Sequence, residues 1–423
     1  MVLITTDVPV QKAWGKPRAH LRRVWSVFRV RASALSLLVA LAAAGCSTAV
    51  GTSTPGPLPS PSLTATPSPT LIPTASATAT STATPGPTPT LPHGVFTATG
   101  SLVADIGAET ASLLDDGTVL VTGAEPGPAE IYDPASGKFH TTGTPSSDTA
   151  DPLAVKLLTG RVLVIDGGET LGAQIYDPAS GKFSSAGRTS VDRDTGAATL
   201  LHNGKVLVVG GILDPQGTGP GGVSRSAQIY DPASGKFTST GQMKTGRACF
   251  TATTLQDGRV LIAGGDDGGC SGADHWFASA EIYDPASGKF TPTGSMTTPR
   301  SNATATLLAS GKVLIGGGYG GGQTDLSSAE LYDPGSGKFT PTGSMSTART
   351  LDTATLLRDG GVLVAGDGTA ELFDPATGRF TPTGHMLAST YNQAAVRLDD
   401  GRVLLVGGLG TADSGSSAEL YWP

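Results

Sequence analysis

Charge, aromatic residues and metal-binding side chains are all scarce in this chain. Charged residues make up 15% of 423, aromatics 5%, and there are six His and three Cys. Basic residues are few where a polyanion would need them: beyond residue 45 there are 21 Lys/Arg against 34 Asp/Glu, a net of −13. Phosphate backbones need Lys and Arg to release counterions, so nucleic acid is excluded as a partner, and docking on anionic lipid is disfavoured. The acidity suits a soluble exported domain. After Cys46 the histidines (His93, His140, His202, His275, His385) are scattered, with no pair at ligand spacing. No paired carboxylates and no nucleophile–base motif stand out, so no catalytic residue, metal or cofactor is expected. Asp266, Asp267 and Asp274 lack the ordered spacing of a Ca²⁺ loop.

Long apolar runs are also missing. The uncharged segment Ala32 to Gly45, ASALSLLVALAAAG, falls well short of the roughly 20 residues that cross a bilayer as a helix. It follows seven Lys/Arg and precedes Cys46, the order of a basic region, a short apolar region and a cut after small residues that marks a secretory signal. The ending AAAGC resembles the lipobox of bacterial lipoproteins, with Ala43 where Leu is commoner. That resemblance implies a signal over residues 1–45, a lipid on Cys46, and anchorage at the outer face of the cell membrane. Residues 46–93 are almost wholly Ser, Thr, Pro, Ala and Gly, with neither charge nor aromatic before His93. Such a segment cannot bury enough apolar surface to offset chain entropy, and reads as an extended stalk of about 3 Å per residue.

What the chain has in plenty is glycine, 59 residues, and a phrase that returns. AQIYDPASGKF, SAEIYDPASGKFTPTGSM, SAELYDPGSGKFTPTGSM and TAELFDPATGRFTPTGHM are near copies. Their aromatic slot falls at Tyr132, Tyr176, Tyr230, Tyr283, Tyr332, Phe373 and Tyr421, at spacings of 44, 54, 53, 49, 41 and 48 residues. Periods of 40–50 with strand-like units indicate propeller blades. Each unit reads as a Thr/Ala-rich first strand, an Asp-Gly or Asn-Gly hairpin turn, an apolar second strand ending in Gly-Gly, a variable loop, the YDP strand, a turn, and a fourth strand opening GKF. The last unit stops after its third strand at Pro423, whereas Val95–Leu102 reads as a fourth strand with no blade of its own. Joining the two closes a ring of seven and leaves no unpaired junction.

The sequence VLVVGG, then SAEIYDP, then GKF with a downstream Arg resembles the kelch repeat. Phe139, Phe183, Phe237, Phe290, Phe339 and Phe380 stand where that family has Trp. The units are most similar to the central domain of galactose-oxidase-like proteins, over residues 94–423. The resemblance implies an all-β, seven-bladed kelch-type propeller, its ring closed by the N-terminal outer strand completing the C-terminal blade. It also implies that the 2–3 loops and the 4–1 links share one face. Long 2–3 loops at Ile212–Arg225, Asp266–Ala278 and Tyr319–Ser327 build up three adjacent blades on that face. Candidate ligand-binding residues there are Asp274, His275, Trp276 and Tyr319, with Arg193, Arg247, Arg300 and Arg349 recurring just before first strands. The family places such arginines between blades, paired with an acid, so both roles are open. Cys249 and Cys270 belong to the same end of one blade, and export favours a disulfide between them.

The expected function is binding of a protein or carbohydrate by a tethered monomer. A galactose-oxidase-like or other sugar-acting enzyme is a second reading, disfavoured by the missing ligand set. A passive spacer in the envelope is a third.

Overall fold

A computed structural model describes residues 94–423, except 105, 125–126, 147–150, 168–170, 191–192, 214–221, 270–274, 321 and 411–413. The expected signal over residues 1–45, the expected lipid site Cys46 and the expected stalk all lie outside the described residues.

Seven four-stranded antiparallel sheets form the ring. Blade 1 runs Ala108–Leu113, Val119–Gly123, Glu130–Asp133 and Lys138–Thr141, and blades 2 to 6 repeat that order. Blade 7 takes its inner three strands from Ala394–Arg397, Val403–Val406 and Ala418–Trp422, and its outer strand from Val95–Ala98. The register pairs Val95 with Trp422 and Phe96 with Tyr421, so the chain closes on its own beginning as the sequence predicts. Inner strands of successive blades are neighbours all the way round, with Ala394–Arg397 lying against Ala108–Leu113.

Strand position explains strand composition. Second strands such as Val162–Ile165 and Val206–Val209 are buried at every residue, because neighbouring blades cover both faces, and they read as unbroken Val/Leu/Ile runs. First strands such as Thr251–Thr254 are half-buried along their length, facing the channel with small polar residues. Fourth strands are exposed edges, and Pro292, Pro341 and Pro382 at their ends blunt them against further pairing.

The core lies between blades rather than inside any one of them. Seven buried clusters correspond to the seven blade–blade junctions. One joins Leu207 and Val209 of blade 3 to Val260 and Ile262 of blade 4 around Met243. The repeated phrase is the joint. In blade 4, Tyr283 packs on Phe290 with centroids 4.7 Å apart, and its hydroxyl meets Thr240 Oγ1 of blade 3 at 2.9 Å. The same Thr–Tyr bond recurs at Thr99–Tyr132, Thr142–Tyr176, Thr293–Tyr332 and Thr383–Tyr421. The Asp of YDP turns the chain: Asp284 Oδ1 accepts from Ala286 N at 2.9 Å and Oδ2 from Ser287 Oγ at 2.7 Å. These bonds hold the Asp284 carboxyl below the usual range.

The glycine pairs answer a close approach. Gly264 and Gly265 have φ of +72° and +90°, and Gly265 N donates to the Arg300 carbonyl of blade 5 at 2.9 Å. A Cβ on Gly265 would sit 2.6 Å from the Ala248 carbonyl oxygen. The bend and the near backbone therefore coincide.

Candidate functional site: the loop face and the channel mouth

The four recurring arginines are interior struts. Arg193, Arg247, Arg300 and Arg349 are 0–3% exposed. Arg300 Nη1 donates to the carbonyls of Gly317 and Ser328 at 2.6 and 2.9 Å, and Nη2 reaches Glu330 Oε1 at 3.3 Å. Arg247 repeats this with Gly264, Ser279 and Glu281, and Arg349 with Gly366, Thr369 and Glu371. Arg193 faces Gln228 in place of a glutamate. The arginines therefore present no arc of guanidinium groups to solvent. They tie the diglycine bend to the third strand of the same blade.

The acids they meet have a second task. Glu330 accepts backbone N–H bonds from Thr297 and Thr298 at 2.9–3.1 Å, so the link entering blade 5 is clamped to that blade's third strand. Glu281 holds Lys244 and Thr245, and Glu371 holds Ser346 and Thr347, in the same way. Burial draws the Arg247 and Arg300 pKa values down, partly offset by Glu281 and Glu330. Glu419 in blade 7 has no arginine at this position, and burial raises its pKa against the pull of the Leu387 and Ala388 amides. The sequence carried a signal for this pairing, the Glu or Gln two residues before each YDP tyrosine.

The loop face is built as the repeat implies. Asp266 bridges both Ala248 and Trp276, Ser301 bridges Tyr319, and Leu326 bridges Arg349, so 2–3 loops add short ladders over the 4–1 links. Trp276, in the loop of blade 4, packs against Tyr319 of blade 5 with centroids 5.8 Å apart and planes at 56°. Both rings are half-buried. His275 beside them is 75% exposed, and its Nδ1 lies 2.8 Å from Asp267 Oδ2. Phe277, next in the chain, lies under the Arg247 guanidinium at 5.3 Å. The structure thus brings His275, Trp276 and Tyr319 together. Asp274 lies outside the described residues, as does Cys270; Cys249 is disulfide-bonded.

At the centre of this face the channel opens as a cavity of about 260 Å³. Blades 3 to 7 wall it with Thr195, Cys249, Asn302, Leu351 and Asn392 and the residues that follow them. Those five residues have φ between +50° and +58°, as does Gly107 at +55° in blade 1, and Asp151 in blade 2 lies at +46°. The left-handed conformation costs a non-glycine residue roughly 1–2 kcal/mol. Here it lets each blade bond to the one before. Cys249 N donates to the Thr195 carbonyl at 3.0 Å, Asn302 N to Cys249 at 2.8 Å, Leu351 N to Asn302 at 3.4 Å and Asn392 N to Leu351 at 2.9 Å. No sequence signal marks this belt, because its members share a conformation and not a residue type.

Beside the belt, Asp352 has a side chain only 3% exposed and meets Arg349 Nη1 at 3.1 Å. Burial pushes its pKa up to about 6; Arg349 opposes that rise, and Asp367 and Asp325 add to it.

Residues 247–297 match the Kelch motif family. This is a kelch-type propeller. Among solved structures, a fungal alcohol oxidase of the AA5 family in complex with copper is similar at 21% identity, covering 78% of this chain and 75% of that one, with a TM-score of 0.60. YjhT is similar at 11% identity, over 63% of this chain and 92% of that one, with a TM-score of 0.51. No curated protein matches. The kelch assignment agrees with the galactose-oxidase-like resemblance in fold, and identities this low carry the fold alone. Among the described residues no three His, Cys, Asp or Glu side chains are grouped to hold a metal.

Proposed function

We propose that the chain is an exported binding module, lipid-anchored at Cys46, that takes a protein or glycan on its loop face. The carrying observation is the Trp276–Tyr319 pair, two half-buried aromatics shared between adjacent blades beside exposed His275. Such rings give large contact area at low entropy cost and anchor interfaces. Kelch propellers generally bind proteins, which supports the same reading.

Fourth strands run from the turn face to the loop face, so Val95, the first residue of the closing strand, lies on the turn face, opposite the long loops.

The test is retention. Immobilised protein is washed with envelope and culture extracts beside a Trp276→Ala/Tyr319→Ala column. Saturable capture lost by at least tenfold in the variant supports the module. Equal capture on both columns, or none, removes the loop-face site and favours a spacer role. Arg300→Ala is unsuitable as the control, because a buried strut is removed with it.

A further inference from the structure

Two places in this ring set an arginine against an aromatic ring and an acid. Arg402 lies 5.0 Å over the Trp422 ring, with its Nε on Asp400 Oδ2 at 2.6 Å. Arg247 lies 5.3 Å over Phe277, with its Nη2 3.4 Å from Glu281 Oε1. The rim pair has the rings and the acid but no arginine. Trp276 and Tyr319 stand 5.8 Å apart with planes at 56°, which makes an open corner rather than a stack. Among the described residues no cation lies over either ring. Tyr319 pairs in register with Asp325 across the short ladder of Tyr319–Gly320 and Thr324–Asp325. Residues opposite each other in such a ladder put their side chains on one face. Burial raises the Tyr319 pKa, and the Asp325 charge adds to that rise, so the ring and the carboxylate sense each other.

The surroundings carry the same sign. The 2–3 loops of blades 4 to 6, residues 266–278, 319–327 and 367–368, contain five Asp and no Lys or Arg. The arginines beneath them, Arg247, Arg300 and Arg349, are buried and engaged with Glu281, Glu330 and Glu371.

We infer, building on the rim reading above, that the partner is a protein held through an arginine side chain, its guanidinium laid in the corner of Trp276 and Tyr319 and its N–H groups directed at Asp325. A cation is attracted to the face of an aromatic ring, and a flat guanidinium both stacks on rings and forks onto a carboxylate. A lysine ammonium is a more strongly hydrated point charge and does only part of this. A neutral sugar would use the rings and gain nothing from the acids. The net charge of −13 beyond residue 45 acts at longer range, drawing a basic surface in and turning an acidic one away.

The test uses the purified full-length chain and saturation-transfer NMR. The probes are acetylated, amidated pentapeptides Ser-Gly-X-Gly-Ser, with X as Arg, Lys, citrulline or Glu. Citrulline keeps the shape of arginine and lacks its charge. The Arg peptide should bind tightest, about tenfold tighter than the citrulline peptide, and weaken as salt is added. Trp276→Ala/Tyr319→Ala should lower its affinity by about tenfold, and Asp325→Asn, which keeps the shape of the side chain, by several-fold. Equal binding of Arg and citrulline, equal binding of Arg and Lys, no binding of the Arg peptide, or Arg binding untouched in both variants would overturn the inference. If the double variant does not fold, the wild-type order of probes and the Asp325→Asn loss decide. The two readings fail separately. Extract capture that needs Trp276 and Tyr319 but survives treatment of the extract with phenylglyoxal, which blocks guanidinium groups, keeps the rim site and removes its arginine partner. Equal capture on both columns with no peptide binding removes both.

Discussion

Single residues in this ring were readable in identity and not in circumstance. The arginines recur visibly before each first strand, and their spacing says nothing of depth. Arg300 is 1% exposed because a glycine carbonyl, a serine carbonyl and Glu330 together meet its guanidinium. Asn302 and Asn392 carried no mark at all, since Thr, Cys and Leu fill the equivalent positions. Asp352 is the residue whose environment has the clearest consequence. Its folded pKa of about 6 lies above the unfolded 3.8, so the folded state holds the extra proton between those values. Stability therefore falls as pH rises from about 4 to 6, by on the order of 2–3 kcal/mol, and the penalty persists above 6. Asp352→Asn keeps an acceptor for Arg349 and should flatten this part of the profile. Chemical denaturation across pH 4–7.5 checks it; an unchanged slope would show that Asp352 is not the titrating group. Glu419, also raised, keeps a smaller slope of the same sign.

At the level of the strand and the blade, the sequence was far more legible. The second strands announce themselves as apolar runs because both their faces are covered, and the fourth by the GKF opening and the Pro that ends it. The joints are legible as well, including two that are incomplete. Ala186 stands where other blades have the Thr that meets the next tyrosine, opposite Tyr230. Phe373 stands where others have Tyr, and Thr342 Oγ1 is left with the Gly378 carbonyl at 3.1 Å. Ala186→Thr and Phe373→Tyr should each complete one joint and add about 0.5–1.5 kcal/mol of stability, read as a higher denaturant midpoint. Phe373 is 0% exposed, so its gain requires that the hydroxyl fit as it does in Tyr332. A loss of stability in both variants would mean that these two junctions have closed over the missing groups.

For the whole molecule, both the number of blades and the manner of closure are legible by counting units along the chain, because a three-stranded unit and a solitary strand can satisfy each other. Loop-face chemistry resisted, since it depends on which residues the ring brings together from distant segments. Closure itself is testable. Deleting residues 94–98 removes the pairing with Ala418–Trp422, the Phe96–Tyr421 contact at 4.9 Å and the Trp422 Nε1 bond to Thr97 at 2.9 Å. Because the core lies at the junctions, the loss should spread to both neighbours of blade 7 and lower the melting temperature by roughly 5 °C or more. A melting temperature unchanged within 1 °C would show that the other six junctions hold the ring alone. The closing strand also has a mechanical meaning. It is the described segment nearest residue 93. Tension along the axis of that strand loads the rungs between Val95–Ala98 and Ala418–Trp422 in shear, so they share the load and do not unzip one at a time.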